Sequence, residues 1–186
     1  SRRAAEYVET LLFACPQCGA FTTLRSVDRT ILCDGCGAEV QMNRHGELTG
    51  LHRTVRDWNR RQRVHLLTSL RAWLAHGEDT PFAEVQPVAL STGRGSRPLL
   101  RRGEVRLALK KEGLSINFLP ATDGGAPGKR PRPWLLRYSD LYGIHVQLRQ
   151  DLEFYHRGTL HVLRPLAVRV SSHYWESMLT TLSHWR

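Results

Sequence analysis

Two short stretches of this chain carry all of its cysteines: Cys15-Pro16-Gln17-Cys18-Gly19 and Cys33-Asp34-Gly35-Cys36-Gly37, with fourteen residues between Cys18 and Cys33. A two-residue gap lets one tight turn aim both sulfurs at a single ion. The glycine after each second cysteine permits the positive φ that turns backbone N–H groups towards the thiolates. Two such knuckles supply four sulfurs in a closed tetrahedral shell with no open position for water, which is the chemistry of a structural Zn²⁺ site. The expected metal ligands are therefore Cys15, Cys18, Cys33 and Cys36. A redox dithiol and a disulfide pair are the competing uses of the same residues. A redox C-x-x-C normally opens a helix in a βαβ setting, and none surrounds these.

The rest of the chain offers little for catalysis. The nine histidines are scattered, and His156 and His161 flank what reads as a hairpin turn. Ser91, Ser139 and Ser171 have no nucleophile-elbow context, and there is no P-loop or dinucleotide fingerprint. No catalytic residue is assigned. Charge is the other chemical signal, with 27 Lys+Arg against 17 Asp+Glu, a formal net of +10 carried mostly by arginine. Such an excess favours anionic partners. Arg94, Arg97, Arg101, Arg102, Arg106, Lys110 and Lys111 form one basic run, and Lys129, Arg130 and Arg132 a second. From these, Arg101, Arg102, Arg106, Lys110, Lys111, Lys129, Arg130 and Arg132 are the candidate anionic-ligand residues. No run approaches the roughly 18 to 20 apolar residues needed to span a bilayer. The N-terminal stretch lacks the apolar core of a signal peptide. The expected setting is cytoplasmic, with peripheral membrane association.

The elements that must position these residues follow from periodicity. Between the knuckles, Phe21 to Arg25 and Thr30 to Cys33 read as strands around a Val27-Asp28-Arg29 turn, and "AEVQMN" as a third. That is a zinc ribbon, too small to fold without its metal. Residues 52–75 then read as an amphipathic helix, with Val55, Trp58, Leu66, Leu70, Trp73 and Leu74 on its apolar face and Arg56, Arg60, Arg61, Arg63 and Arg71 on the other. Thr54 and Asp57 have the spacing of a capping box, and Gly77 supplies the stop. From Phe82 the period changes to two, in short runs separated by Gly, Pro and Asp turns. Residues 120–133 are a Pro/Gly-rich loop. "SSHYWESMLTTLSHW" closes the sequence as a helix, with Ser171 or Ser172 as N-cap and Trp175, Leu179 and Leu182 on one face. Six or seven strands followed by one amphipathic helix is the element order of a pleckstrin-homology (PH)-like barrel, with Trp175 the aromatic that would point inward. The expected fold class is mainly β (α+β): a zinc ribbon over 6–50, a connecting helix over 51–78 and a PH-like β-barrel with C-terminal helix over 82–186.

From Glu6 to Arg63 the chain resembles a known family. "EYVETLLF" ahead of the first knuckle, both C-x-x-C-G pairs, the polar "NRHGEL" turn and the "DWNRRQ" helix are similar to the region after the catalytic domain in bacterial lysophospholipid acyltransferases of the 1-acyl-glycerol-3-phosphate type. The resemblance implies a non-catalytic accessory region whose catalytic domain lies upstream of Ser1. His52 and Asp57 match the family's bare His-x-x-x-x-Asp spacing. They stand where the post-ribbon helix begins, with no apolar strand before them, and are not read as its general base and orienting acid. The partners implied are an anionic phospholipid surface or the upstream acyltransferase domain. A protein-interaction module and a zinc-ribbon nucleic-acid-binding protein are the alternatives, since a basic helix can also follow a phosphate backbone.

Overall fold

The computed structural model describes residues 5–50, 53–76, 79–120, 132–147 and 150–185. The chain is mostly β with two helices, and it divides into two compact units. One comprises Ser1–Arg71 with Arg169–Tyr174, the other Ala72–Val168 with Trp175–Arg186.

In the first unit, three antiparallel strands, β1 (Leu24–Val27), β2 (Thr30–Cys33) and β3 (Glu39–Gln41), form a sheet in sequence order. β1 begins three residues later than the periodicity suggested. Thr22 has φ 58°, and before β1 Phe21 makes only an isolated bridge to Ala14. Val27 pairs with Thr30, so the hairpin turns on two residues. Asp28 takes the left-handed conformation there, at φ 54°, one that Asp tolerates better than most side chains. Helix α1 (Val55–Ala75) follows. Thr54 Oγ1 accepts the N–H of Asp57 at 3.1 Å and donates to the Asp57 carboxylate at 2.8 Å, which satisfies an otherwise orphan helix donor. Asp57 is thus occupied as a cap. His52 and Gly77 lie outside the described residues.

The core of this unit is small: Leu12, Cys15, Leu24, Ile31, Cys33, Val40, Met42, Leu48 and Trp58 are its larger members. Polar cross-links supplement it. Trp58 Nε1 donates to the Ala14 carbonyl at 2.8 Å. Gln62 Oε1 accepts from Phe13 and Ala14 at 2.8 and 3.3 Å, while its Nε2 donates to the Leu11 carbonyl at 2.9 Å. The segment Arg169–Tyr174 adds a third attachment. Arg169 Nε stands 3.4 Å from the buried Glu9 Oε1 and its Nη1 donates to the Ser26 carbonyl at 3.0 Å. The Ser26 hydroxyl donates to the other Glu9 oxygen. Tyr174 packs its ring against Phe13 and Phe21, with centroids 5.1 and 5.3 Å away.

The second unit is a seven-stranded antiparallel sheet: β4 (Ala83–Gly93), β5 (Leu100–Lys110), β6 (Gly113–Phe118), β7 (Trp134–Leu136), β8 (Leu141–Gln147), β9 (Asp151–His156) and β10 (Thr159–Pro165). Its spatial order is β7-β6-β5-β4-β10-β9-β8. Two meanders therefore join through β4 and β10, and helix α2 (Ser172–Ser183) follows the last strand. This is the PH-like element order expected from the sequence. Among the described residues β7 and β8 are edges that do not pair, so the ladder is open. Alternation explains the burial, with Val88, Leu90 and Thr92 of β4 and Val105, Leu107 and Leu109 of β5 turned inwards. The stretch from Trp134 to Gln147, which reads as one run, is broken by a 3-10 turn at Tyr138–Asp140. Ser171 caps α2 by accepting the Tyr174 N–H at 3.1 Å, and Trp175, Met178, Leu179 and Leu182 are buried.

Candidate metal centre and basic hairpin

The two knuckles are built alike. The N–H of Cys15 bonds to the Ala20 carbonyl and that of Cys33 to Ala38, each at 2.9 Å. Gly19 and Gly37 donate back to Cys15 and Cys33 at 3.0 and 2.9 Å. Both glycines adopt left-handed φ, 74° and 72°, which is what the position after each second cysteine demands. The knuckles bring one Sγ from each of Cys15, Cys18, Cys33 and Cys36 within 4.8 Å of one another. Cys15 and Cys36 sulfurs stand 3.7 Å apart, and those of Cys18 and Cys33 3.8 Å. A disulfide needs about 2.0 Å. A tetrahedron of sulfurs each 2.3 Å from a central ion has edges of about 3.8 Å. The donor set therefore fits one tetrahedral metal ion.

The thiols hold their protons unequally. Burial pushes Cys15 up to about 12. At Cys33 burial works the same way, but the Thr23 hydroxyl, 3.2 Å from its sulfur, and the N–H groups of Cys36 and Gly35 outweigh it and pull the thiol down to about 6. A cation bound by all four must displace the proton that burial favours on Cys15.

Beside the first knuckle lies a cleft of about 540 Å³, walled by residues 14–19 and by Trp58, Arg61, Gln62 and His65 of α1. His65 Nε2 is 2.8 Å from the Gly19 carbonyl and its ring stacks on Phe21 at 5.0 Å. Sequence reasoning did not single out Gln62 or His65. Their signal was the i, i+3, i+4, i+7 spacing from Trp58, which places all four on one helix face.

The basic residues of the second unit separate into groups. Arg94 and Arg97 occupy the β4–β5 turn, and Arg101 and Arg102 begin β5. The register slips between Leu90↔Gly103 and Ser91↔Arg101, which makes Arg102 the extra residue of a bulge. Its Nε donates to the buried Thr92 hydroxyl at 2.7 Å. Arg101 faces one acid, Glu104 at 3.7 Å. Arg106 is paired with Glu84. Lys110 and Lys111 sit at the opposite end of β5, roughly 30 Å along the strand at 3.3 Å per residue, and Lys111 Nζ donates to the His76 carbonyl. Arg132 is exposed just ahead of β7. Lys129 and Arg130 lie outside the described residues. Arg101 and Arg102 are therefore brought together with Arg94 and Arg97, whereas Lys110 and Lys111 are not.

The buried His161 stacks on Phe154 with centroids 5.2 Å apart, and its Nδ1 lies 3.1 Å from the Thr159 carbonyl. Burial drives its pKa down to about 4, so the ring is neutral.

These features define a class: a four-thiol ribbon unit joined to an open PH-like sheet with a terminal helix. No family model matches the chain, and no curated protein matches it. Among solved structures it is similar to the C-terminal PH domain of human FYVE, RhoGEF and PH domain containing protein 3, at 12% identity and a TM-score of 0.35, over 60% of this chain and 96% of that one. The fold assignment rests on the strand order itself. No helix of the described residues is long and apolar enough to cross a membrane.

Proposed function

We propose that the chain is a non-catalytic, zinc-stapled docking region that binds anionic phospholipid surfaces, the accessory part of a 1-acylglycerol-3-phosphate acyltransferase-type enzyme. The observation that carries the lipid reading is the β4–β5 hairpin, where Arg94, Arg97, Arg101 and Arg102 gather with Glu104 as the nearby acid. Each cation near an acidic leaflet contributes about 1 kcal/mol. Zinc is the ion that suits four thiolates at these spacings, and a closed four-sulfur shell supports a role in holding the ribbon. The acyltransferase connection is carried by the knuckle and helix motifs of residues 6–63. The limits 6–50, 51–78 and 82–186 are kept as the proposed domain bounds, with a cytoplasmic, membrane-peripheral location.

The test is co-sedimentation of the metal-loaded chain with neutral and phosphatidate-rich vesicles at low and high salt. Salt-sensitive binding to the acidic vesicles alone supports the reading. Charge reversal at Arg101 and Arg102 that leaves this binding unchanged overturns the hairpin's part in it. One observation favours a protein partner instead: Tyr142 and Tyr155 stack at 5.4 Å while remaining 53% and 37% exposed, and Tyr142 is on the edge strand β8. Loss of partner capture in Tyr142→Ala, with vesicle binding unaltered, would favour that second reading.

A further inference from the structure

Helix α1 has used its apolar stripe on the interior. Trp58, Gln62, Leu66 and Leu70 are buried, so its continuous apolar stripe is not available for insertion. Between Arg53 and His65 only Trp58 and Gln62 are buried, and Arg53, Arg56, Arg60, Arg61 and Arg63 are all exposed. At 3.6 residues per turn, Arg63, Arg56, Arg60 and Arg61 sweep roughly 160° of the circumference, centred opposite Gln62. Val64 sits near the middle of that arc and is 62% exposed. The one acid of this segment, Asp57, is occupied with Thr54. Arg63 Nε donates to the neutral Asn59 at 3.1 Å. Among the described residues, no carboxylate pairs with Arg53, Arg56, Arg60 or Arg61.

We propose that this face of α1 is a second contact for an anionic phospholipid surface, distinct from the β4–β5 hairpin. The inference rests on the membrane reading above and extends it to a surface that reading does not use. α1 contains five arginines and no lysine. Guanidinium is the weakly hydrated cation whose planar fork matches phosphate oxygens two at a time. The position of Val64 selects lipid over nucleic acid. At the headgroup level an apolar side chain can face the acyl boundary while flanking arginines reach sideways to phosphates. A nucleic-acid surface would be better served by a donor or an exposed ring there, and the indole of Trp58 is buried. Because the apolar stripe is already covered, the contact is electrostatic and must weaken with salt.

The experiment uses the metal-loaded full chain and phosphatidate-rich phosphatidylcholine vesicles, with a triple variant Arg56→Ala, Arg60→Ala, Arg63→Ala and, separately, Arg101→Ala with Arg102→Ala. At about fivefold per cation, the triple variant should lower the apparent partition coefficient on the order of a hundredfold while retaining metal and far-UV circular dichroism. All three side chains are exposed, so folding is not at stake. Parent-like binding by the triple variant overturns the α1 contact and leaves the hairpin reading intact. Loss in the triple variant alone supports the α1 contact and removes the hairpin from the reading. A triple variant that loses duplex DNA binding and keeps vesicle binding overturns the proposal in favour of a nucleic-acid face. A parent chain that ignores acidic vesicles overturns both.

Discussion

Replacing Gln62 by leucine tests how the ribbon unit is held. The amide of Gln62 serves three backbone groups: it accepts from the N–H groups of Phe13 and Ala14 and donates to the Leu11 carbonyl. Phe13 and Ala14 are 2% exposed, so in Gln62→Leu neither N–H can turn to water. Each stranded buried donor costs about 1 to 3 kcal/mol. The Ala14 bond is the longer, at 3.3 Å, and the half-buried Leu11 carbonyl can be hydrated. Leucine fills nearly the same volume, so little cavity cost is added. The expected loss is about 2 to 4 kcal/mol, confined to the first unit. A chain of two units need not unfold in one step. The assay is therefore amide hydrogen exchange at Phe13 and Ala14 in the metal-loaded protein, where that loss reads as a drop in protection between about thirtyfold and several hundredfold. Gln62→Glu keeps an acceptor for both N–H groups and gives up the donor to Leu11, so Phe13 and Ala14 should be affected less. Protection within a few-fold of the parent in Gln62→Leu would refute the bookkeeping, because those N–H groups would then have another partner.

Cys36→Ser removes one of the four sulfurs at an exposed position. It should abolish stoichiometric metal retention after dialysis and collapse exchange protection in β1 to β3, as should chelation. Full protection without metal would show that the cluster is not structural. The neutral, buried His161 predicts a pH dependence. Its folded pKa, about 4, lies below the ordinary 6.5, so its stabilising contribution is present above about 6.5 and is lost as pH falls towards 4. The full effect is on the order of 3 kcal/mol. In His161→Phe the urea midpoint of the second unit should depend less on pH across that window, and an identical slope would exclude His161 as its source. Gly113 has φ 155°, and a Cβ there would fall 2.2 Å from the Leu136 carbonyl oxygen. Gly113→Ala should therefore break the Leu114↔Leu136 pairing and destabilise the sheet by about 1 to 3 kcal/mol or more. An unchanged melting temperature would show that β7 yields freely.

What the sequence disclosed was local chemistry with a short period. Each knuckle is a five-residue instruction, and the glycine after its second cysteine has the φ that instruction requires. The Thr54–Asp57 cap and the alternation along β4 to β6 are equally local. What stayed hidden depends on where strands end and how they slip. Arg101 and Lys110 sit in one basic run, yet an extended strand carries them to opposite ends of β5. The bulge that sets Arg102 against Thr92 follows from a register shift between two strands, which no window on β5 alone can reveal. Gln62 was passed over because a buried glutamine is unusual among helix faces read by apolar period. Its partners are about fifty residues earlier in the chain. The same limit hid Arg169–Tyr174, whose partners Glu9, Ser26 and Phe13 are remote in sequence.

The ribbon's dependence on distant segments has a physical cause. Three strands of three or four residues enclose too little apolar surface to offset the entropy of ordering them. A metal cross-link is one remedy and recruited surface is another. Here both occur. Trp58 completes the apolar core, and Gln62 closes backbone groups of the segment leading into Cys15. The Glu9–Arg169 pair and the Tyr174 ring bring in a stretch from the far end of the chain. Polar anchors suit this task better than further apolar contacts, because a buried amide or carboxylate accepts few alternative partners and so fixes register as well as proximity. The same economy accounts for α1's exposed arc. A helix held by one narrow stripe, with a glutamine within it, leaves much of its circumference open, and there Arg56, Arg60, Arg61 and Arg63 are exposed to solvent.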